Sequence, residues 1–537
     1  MNAGETPLET HRAMVAALQR DFGAGTEHIE THISTLLLAG EFAYKLRKPL
    51  KLGFLDFSSL EQRRTDCEEE LRLNRRTAPQ LYLDVLPVFG PAERARIGRA
   101  AEADGCAAAI DWLLRMRRFD NEGLLDRLAA RGALTDAQID ALARRIAVFH
   151  DALPASPAAY GDPEAVLAWA RANFDALGSH VSPALRDWTE REFARIAPTL
   201  ALRRAQGFVR EGHGDLHLGN IVMVDGEPLP FDGIEFNAAL RHTDTMADVA
   251  FTFMDLWRHG LPRQAWRFVS GYAEHTGDYD GLALLPFFAA YRAMVRAQVA
   301  ALRLAQAASE AARAQARGAL AHDLHVAGEL SQLRPATPRL VLTSGLSGSG
   351  KSTVALALLL SLGAVRVRSD VERKRLAGVA ATARPTVQQA QRLYSQAMNM
   401  RTYARLQSLA RGVLRAGLNV IVDAAALRRH ERDEVRALAT HEGARFTLIE
   451  CTAPEAVLRE RIARRMAANH DASDATLEVL DFQLKVREPV AADEAALFLS
   501  TDGDAAMLVQ RCEALAAGLQ EASRADGELP LMAPRHP

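Results

Sequence analysis

Residues 345–353 read G-L-S-G-S-G-K-S-T, and no other stretch constrains the folding choices of this chain so tightly. Gly345, Gly348 and Gly350 permit the backbone to curl around an anion, and Lys351 and Ser352 complete the spacing G-x-x-x-x-G-K-[ST]. The flanks agree. Residues 339–343 ahead of the loop are apolar and β-branched, as a buried parallel strand should be, and residues 354–360 behind it suit a helix packed on that sheet. Strand, glycine turn and helix in that order aim backbone N–H groups and the positive end of a helix dipole at one point. The loop 345–353, Ser349 and Thr353 included, is therefore expected to cradle the phosphates of a nucleoside triphosphate. Lys351 would lie on the β- and γ-phosphates and the Ser352 hydroxyl on Mg²⁺.

Around this loop, strand and helix signals alternate. Candidate strands at 339–343, 365–368, 419–423 and 445–451 are separated by helical segments, which implies βαβ crossovers and a parallel sheet. This α/β P-loop domain is expected over 339–520, with a flexible tail at 521–537. The sequence R-P-A-T-P at 334–338 reads as a linker, because two prolines flank the switch into the first strand. Residues 1–333 read differently. A strand at 41–46 carries Lys45, and Ser58 or Ser59 caps a helix reaching about residue 74, each in a capping-box spacing. Strand-like runs come next at 81–89 and 107–116, and from 124 to 330 the pattern is mostly helical, interrupted at 212–236. The expectation is an α+β bilobal domain, its small lobe at about 1–118 and its helical lobe at about 119–333.

A chain of 537 residues at 48% hydrophobic is too long for one core and suggests two to four domains. Lys and Arg (65) nearly balance Asp and Glu (67), so no global basic field argues for a nucleic-acid partner. The four cysteines, Cys67, Cys106, Cys451 and Cys512, form no C-x-x-C pair, which fits a reducing compartment and neither a disulfide framework nor a zinc site. Residues 1–12 are polar with no apolar signal core, and the longest apolar runs are too short to span a bilayer. A cytoplasmic protein with no membrane partner is expected. The sequence carries no signal for an oligomeric partner.

A second constellation lies far upstream. Residues 213–220 read H-G-D-L-H-L-G-N, and Asp232 stands downstream within L-P-F-D-G at 229–233. An Asp five residues before an Asn, with a second Asp beyond a short hairpin, is how a kinase catalytic loop places its base and two Mg²⁺ ligands beside a γ-phosphate. The segment from about 31 to 248 resembles the aminoglycoside phosphotransferase/choline kinase group, most specifically over 211–236, although Leu218 stands where that group has Pro. The resemblance implies that Asp215 accepts the acceptor's hydroxyl proton, that Asn220 and Asp232 hold Mg²⁺, and that Lys45 pairs with the ATP α/β-phosphates. A helix carboxylate would hold Lys45. Glu68, Glu69 and Glu70 are in range, and Glu70 is favoured because it flanks the apolar stripe of Leu60, Cys67 and Leu71. His213 reads as a structural hydrogen-bonder, His217 as non-catalytic, and Asp244 and Asp248 as braces of the loop. Two departures stand out. No G-x-G-x-x-G precedes Lys45, where T-H-I-S occupies 31–34, and no A-P-E segment lies downstream, which argues against a protein substrate.

The C-terminal part is similar to small P-loop kinases of the gluconate kinase, polynucleotide kinase and zeta-toxin type, which share a D-x-x-R element where this chain has Asp370 and Arg373. By that resemblance Asp370 is the general base and Arg373 a substrate contact. Asp423, ending the apolar strand at 419–423, would bind Mg²⁺ through water. Arg461 and Arg465, one turn apart, would be lid arginines on ATP. The turn at 471–474 and Gln483 also match that group's pattern without an implied role. The whole architecture resembles a bacterial family of two-domain predicted kinases. These resemblances imply an ATP- and Mg²⁺-dependent phosphotransferase, bifunctional, with an alcohol hydroxyl of a small molecule as acceptor at each site. The competing expectation is a nucleotide-sensing or toxin-like regulator, one head a pseudokinase and the other acting on a macromolecule or nucleotide sugar. Aminoglycoside resistance is a third, weaker reading.

Overall fold

The computed structural model describes residues 6–52, 55–99, 108–381, 392–468 and 476–525, together with 383, 386 and 389. Cys106, the turn at 471–474 and the end of the tail lie outside them. The chain folds as an α+β domain followed by an α/β domain with a parallel sheet. By packing it divides into two compact units, Met1–Trp169 with Leu200–Asp255, and Ala170–Thr199 with Leu256–Pro537.

The first unit begins with helix α1 (Pro7–Phe22), closed by a capping box between Thr6 and Glu9. A six-stranded sheet comes next, of β1 (Glu27–Glu30), β2 (Ser34–Ala39), β3 (Phe42–Arg47), β4 (Tyr82–Phe89), β5 (Arg96–Ile97) and β6 (Asp111–Arg117) in the order β1-β2-β3-β6-β4-β5. Met14, Val15 and Leu18 of α1 pack into a core with Leu37, Leu46 and Leu113 of the sheet. Helix α2 (Leu60–Asn74) is capped by Ser59, whose hydroxyl accepts from Gln62 N–H. The same unit contains helix α3 (Asp136–Ala152) and β7 (Val209–Glu211). Strands β8 (Ile221–Val224) and β9 (Glu227–Pro230) then form a hairpin. Its turn residues Asp225 and Gly226 both have positive φ, the conformation that favours Asp-Gly in two-residue turns. Strand β10 (His242–Asp244) pairs with β7 and leads into α4 (Thr245–Arg258).

The second unit contains helices α5 (Pro262–Thr276), α6 (Leu285–Gln306) and α7 (Glu310–Ser331), and then the P-loop sheet. Its strands are β11 (Arg339–Ser344), β12 (Ala364–Arg368), β13 (Asn419–Asp423), β14 (Arg445–Thr452) and β15 (Leu497–Ser500), all parallel, in the order β12-β13-β11-β14-β15. Every residue of β11 is buried, as a strand covered on both faces must be. Helices α8 (Lys351–Leu362), α9 (Ser369–Leu376), α10 (Gln396–Arg415), α11 (Arg429–His441), α12 (Glu455–Ala468), α13 (Leu477–Val486) and α14 (Ala505–Ala525) complete the unit. Strand β12 lies at the sheet edge, and α5 covers it. Arg366 N–H donates to Ser270 Oγ at 3.1 Å, Tyr279 Oη donates to Arg366 C=O at 3.4 Å, and Trp266 sits where a side chain on Gly363 would be. The linker residue Arg334 is anchored too, in a two-point pair with Glu192 at 2.8 and 2.6 Å. Among the described residues no helix is long and apolar enough to cross a membrane.

Candidate functional site

In the first unit, β3 presents Lys45 and Arg47 on one face, as residues two apart on a strand must be. Lys45 Nζ lies 2.8 Å from Glu70 Oε1 on α2 and 2.9 Å from Asp232 Oδ1 beyond the β8–β9 hairpin. Of the three candidate glutamates it is thus Glu70 that meets Lys45, while Glu68 pairs with Arg64 and Glu69 with Arg72 and Arg241. Burial disfavours the Lys45 charge, yet Asp232 and Glu70 overcome that cost and raise its pKa. Arg47, which no local spacing singles out, is the larger feature. Fully buried, it reaches Glu70, Asp66 and, at 2.5 Å, Glu235, and donates to Ser34 Oγ at 2.9 Å. Two cations therefore face four carboxylates, Asp66, Glu70, Asp232 and Glu235. Burial pushes the Glu235 carboxyl up to about 8, with Arg47 opposing.

The loop 213–220 brings the remaining candidates together. Asn220 Nδ2 donates at 3.0 Å to both the carbonyl and the Oδ2 of Asp215, which fixes the carboxylate and directs the amide oxygen the other way. Phe231 N–H donates to Asn220 C=O at 2.9 Å, so the hairpin returns Asp232 beside the loop. Asp232 has φ of 60°, a left-handed conformation costly for a side-chain-bearing residue, and its backbone is held on both sides. Its N–H donates to Tyr82 Oη at 3.0 Å, and Gly233 N–H donates to Asn74 Oδ1 at 2.9 Å. Nothing local in the sequence marks Tyr82 or Asn74 for this task. The loop is braced from α4, where Asp248 accepts from His213 N–H at 2.7 Å, Gly214 N–H at 2.9 Å and the His150 ring at 3.3 Å. Burial works against that charge, but these donors bring the Asp248 pKa down to about 2. His213 Nε2 bonds to Phe231 C=O at 2.9 Å, and Asp244 forms a two-point pair with Arg203. The 31–34 turn joins β1 to β2 and closes on itself. Thr31 N–H and Oγ1 donate to Ser34 C=O, and Ser34 N–H donates to Thr31 Oγ1.

In the second unit the loop 345–353 opens onto a cavity of about 780 Å³ lined by Lys351, Ser352, Asp370, Arg373, Asp423 and Arg465, among others. The glycines are required by space as well as torsion. A Cβ on Gly345 (φ +138°) would meet Cys451 C=O at 2.4 Å, and one on Gly348 (φ +81°) would meet Leu458 C=O at 2.8 Å. Lys351 Nζ donates to Leu346 C=O at 2.8 Å, and burial lowers its pKa against the pull of Asp423. Asp423 Oδ2 and Ser349 Oγ are buried with no hydrogen-bond partner, which marks polar capacity left for a ligand or cation. Asp370 is the second residue of α9, one position past Ser369, so it is not the helix cap. Arg373 donates to Asn399 Oδ1 at 3.1 Å and lies over the Tyr394 ring, while its Nε is buried without a partner. Arg461 and Arg465 both line the cavity, and Arg461 also donates to Gly348 C=O at 3.2 Å and to Thr501, and so fastens the loop. Gln483 gains a contact, its Oε1 accepting from Ser347 N–H at 2.7 Å.

Comparison with known proteins places these sites in context. A family model described as an AAA domain matches residues 340–490. The uncharacterized protein Rv2004c of Mycobacterium tuberculosis is 32% identical over 462 residues, covering 84% of this chain and 88% of its own length. Among solved structures, a gluconokinase from Sinorhizobium meliloti is similar at 22% identity, covering 35% of this chain and 98% of its own, with a TM-score of 0.27. The GDP complex of aminoglycoside 2'-phosphotransferase-IIIa is similar at 16% identity, covering 60% of this chain and 99% of its own, with a TM-score of 0.37.

Proposed function

This chain belongs to the same family as that mycobacterial protein, and we propose that it is an ATP- and Mg²⁺-dependent phosphotransferase with two nucleotide sites. Each transfers the γ-phosphate to a hydroxyl of a small-molecule acceptor. The observation that carries the reading is the convergence of Lys351, Ser352, Asp370 and Asp423 on one cavity behind a glycine loop that no side chain fits. The residues suit the nucleotide and its cation, because the loop N–H groups supply donors and the buried Asp423 Oδ2, which takes no hydrogen bond, supplies an acceptor. Mg²⁺, when bound, neutralises phosphate charge during transfer. Lys351 moves from Leu346 C=O to the phosphates, Arg465 closes over them, Arg373 holds the acceptor, and Asp370 orients its hydroxyl and takes the proton. In the first site Lys45, steadied by Glu70, binds the α/β-phosphates, Asp215 takes the acceptor proton, and Asn220 and Asp232 are the Mg²⁺ ligands.

A second reading is favoured by one observation, the glycine-free turn at 31–34 that spends its own N–H groups closing itself. In that reading the first head senses nucleotide and transfers nothing. Titration with a fluorescent ATP analogue tests the two-site proposal. Two equivalents should bind to the wild type, and one each to Lys45→Ala and Lys351→Ala. One equivalent in the wild type, lost in a single variant, would overturn it.

A further inference from the structure

Glu274 lies on α5, outside the P-loop domain as the sequence delimits it, yet its carboxylate reaches two arginines of β12. Oε2 accepts from Arg366 Nη2 at 3.3 Å and Oε1 from Arg368 Nη1 at 3.2 Å, and its side chain is only 17% exposed. Its backbone carbonyl accepts from Arg375 on α9, which fixes the helix end in place. Both arginines lead to the metal end of the second site. Arg366 Nη1 donates at 3.4 Å to the carbonyl of Ser352, whose hydroxyl is assigned to Mg²⁺. Arg368 Nε stands 3.8 Å from Asp423 Oδ2, a loose ion pair beyond hydrogen-bond reach of an atom that is buried and takes no hydrogen bond.

We propose that Glu274 is a positioning residue for the second site. It keeps the Arg368–Asp423 ion pair loose, without a hydrogen bond, and thereby leaves that carboxylate open for a divalent cation. This rests on the reading of the second site as an ATP–Mg²⁺ site. Two carboxylates compete for one guanidinium. At 3.8 Å from Asp423, Arg368 is within about 1 Å of a charge-assisted hydrogen bond to it. The Glu274 carboxylate opposes this by holding the same guanidinium through Nη1 at 3.2 Å. Neutralise that carboxylate, and Arg368 closes on Asp423 and competes with the cation. A segment of the helical region then sets the cation affinity of the P-loop site, a link that the loop motif by itself does not contain.

The test measures cation binding rather than turnover, on the full chain. Mn²⁺ is titrated with a non-hydrolysable ATP analogue present, free Mn²⁺ is read by its electron paramagnetic resonance signal, and the component lost in Lys351→Ala is assigned to the second site. Glu274→Gln should weaken that component about fivefold or more, the scale of a rearranged ion pair. In an Arg368→Gln background the same Glu274→Gln change should have no effect, because the competing cation is gone. An undiminished affinity in Glu274→Gln, or an equal loss with and without Arg368, would overturn the proposal and leave Glu274 a packing residue. Absence of any Lys351-dependent Mn²⁺ component would refute the underlying site reading, a distinct result.

Discussion

At the level of single residues, the first site turns on a charge imbalance. Lys45 and Arg47 face Asp66, Glu70, Asp232 and Glu235, so full ionisation would leave excess negative charge in a buried space. A carboxyl that keeps its proton relieves it, and burial raises both Asp66 and Glu235, the latter to about 8 from an ordinary 4.5. A group whose folded pKa is raised contributes stability that is complete below its unfolded value and lost as pH rises through the folded one. Unfolding of the first unit should therefore become easier from about pH 4.5 to about 8. Glu235→Gln should flatten that slope in denaturant titrations, and an unchanged slope would refute the assignment. Arg47→Ala strips the counter-charge from three carboxylates at once. It should cost about 3–5 kcal/mol in the same titration, the range for breaking a buried pair. A loss below about 1 kcal/mol would mean that the network is dispensable.

Secondary-structure elements were legible to very different degrees. The strand before the glycine loop, read at 339–343, forms at Arg339–Ser344, and the strand at 419–423 forms at Asn419–Asp423, because buried parallel strands leave continuous apolar runs. The edge strand Leu497–Ser500 was not read, since its apolar run of Leu497, Phe498 and Leu499 is too short to tell a strand from a loop. The candidate residues themselves were legible wherever a local spacing exists, as in 213–220 and 345–353. Arg47, Tyr82, Asn74 and Glu274 were not, because each acts through contacts between distant segments, such as the 150 residues from Tyr82 to Asp232. Distant contacts also decide where the P-loop unit begins. With α5 absent, β12 would expose an open edge and lose its bonds to Ser270 and Tyr279. A fragment of residues 170–199 linked to 256–525 should unfold cooperatively and stay monomeric, while 335–525 should melt several degrees lower or aggregate. Equal melting temperatures would show that α5 is an ornament to the sheet.

For the whole molecule, two separate chemistries share one chain in the function proposed above. The two sites use different devices to meet the same demand. One holds a lysine on a β-strand and a carboxylate in a braced loop, and the other, in that proposal, would wrap phosphates in backbone N–H groups. The decisive experiment uses γ-labelled ATP, Mg²⁺ and a fractionated bacterial metabolite extract with wild type, Asp215→Ala and Lys351→Ala. Two labelled small molecules should appear, one lost in each variant and retained in the other. A single product abolished by both substitutions, or label found only on protein or nucleic acid, would contradict a two-headed small-molecule kinase.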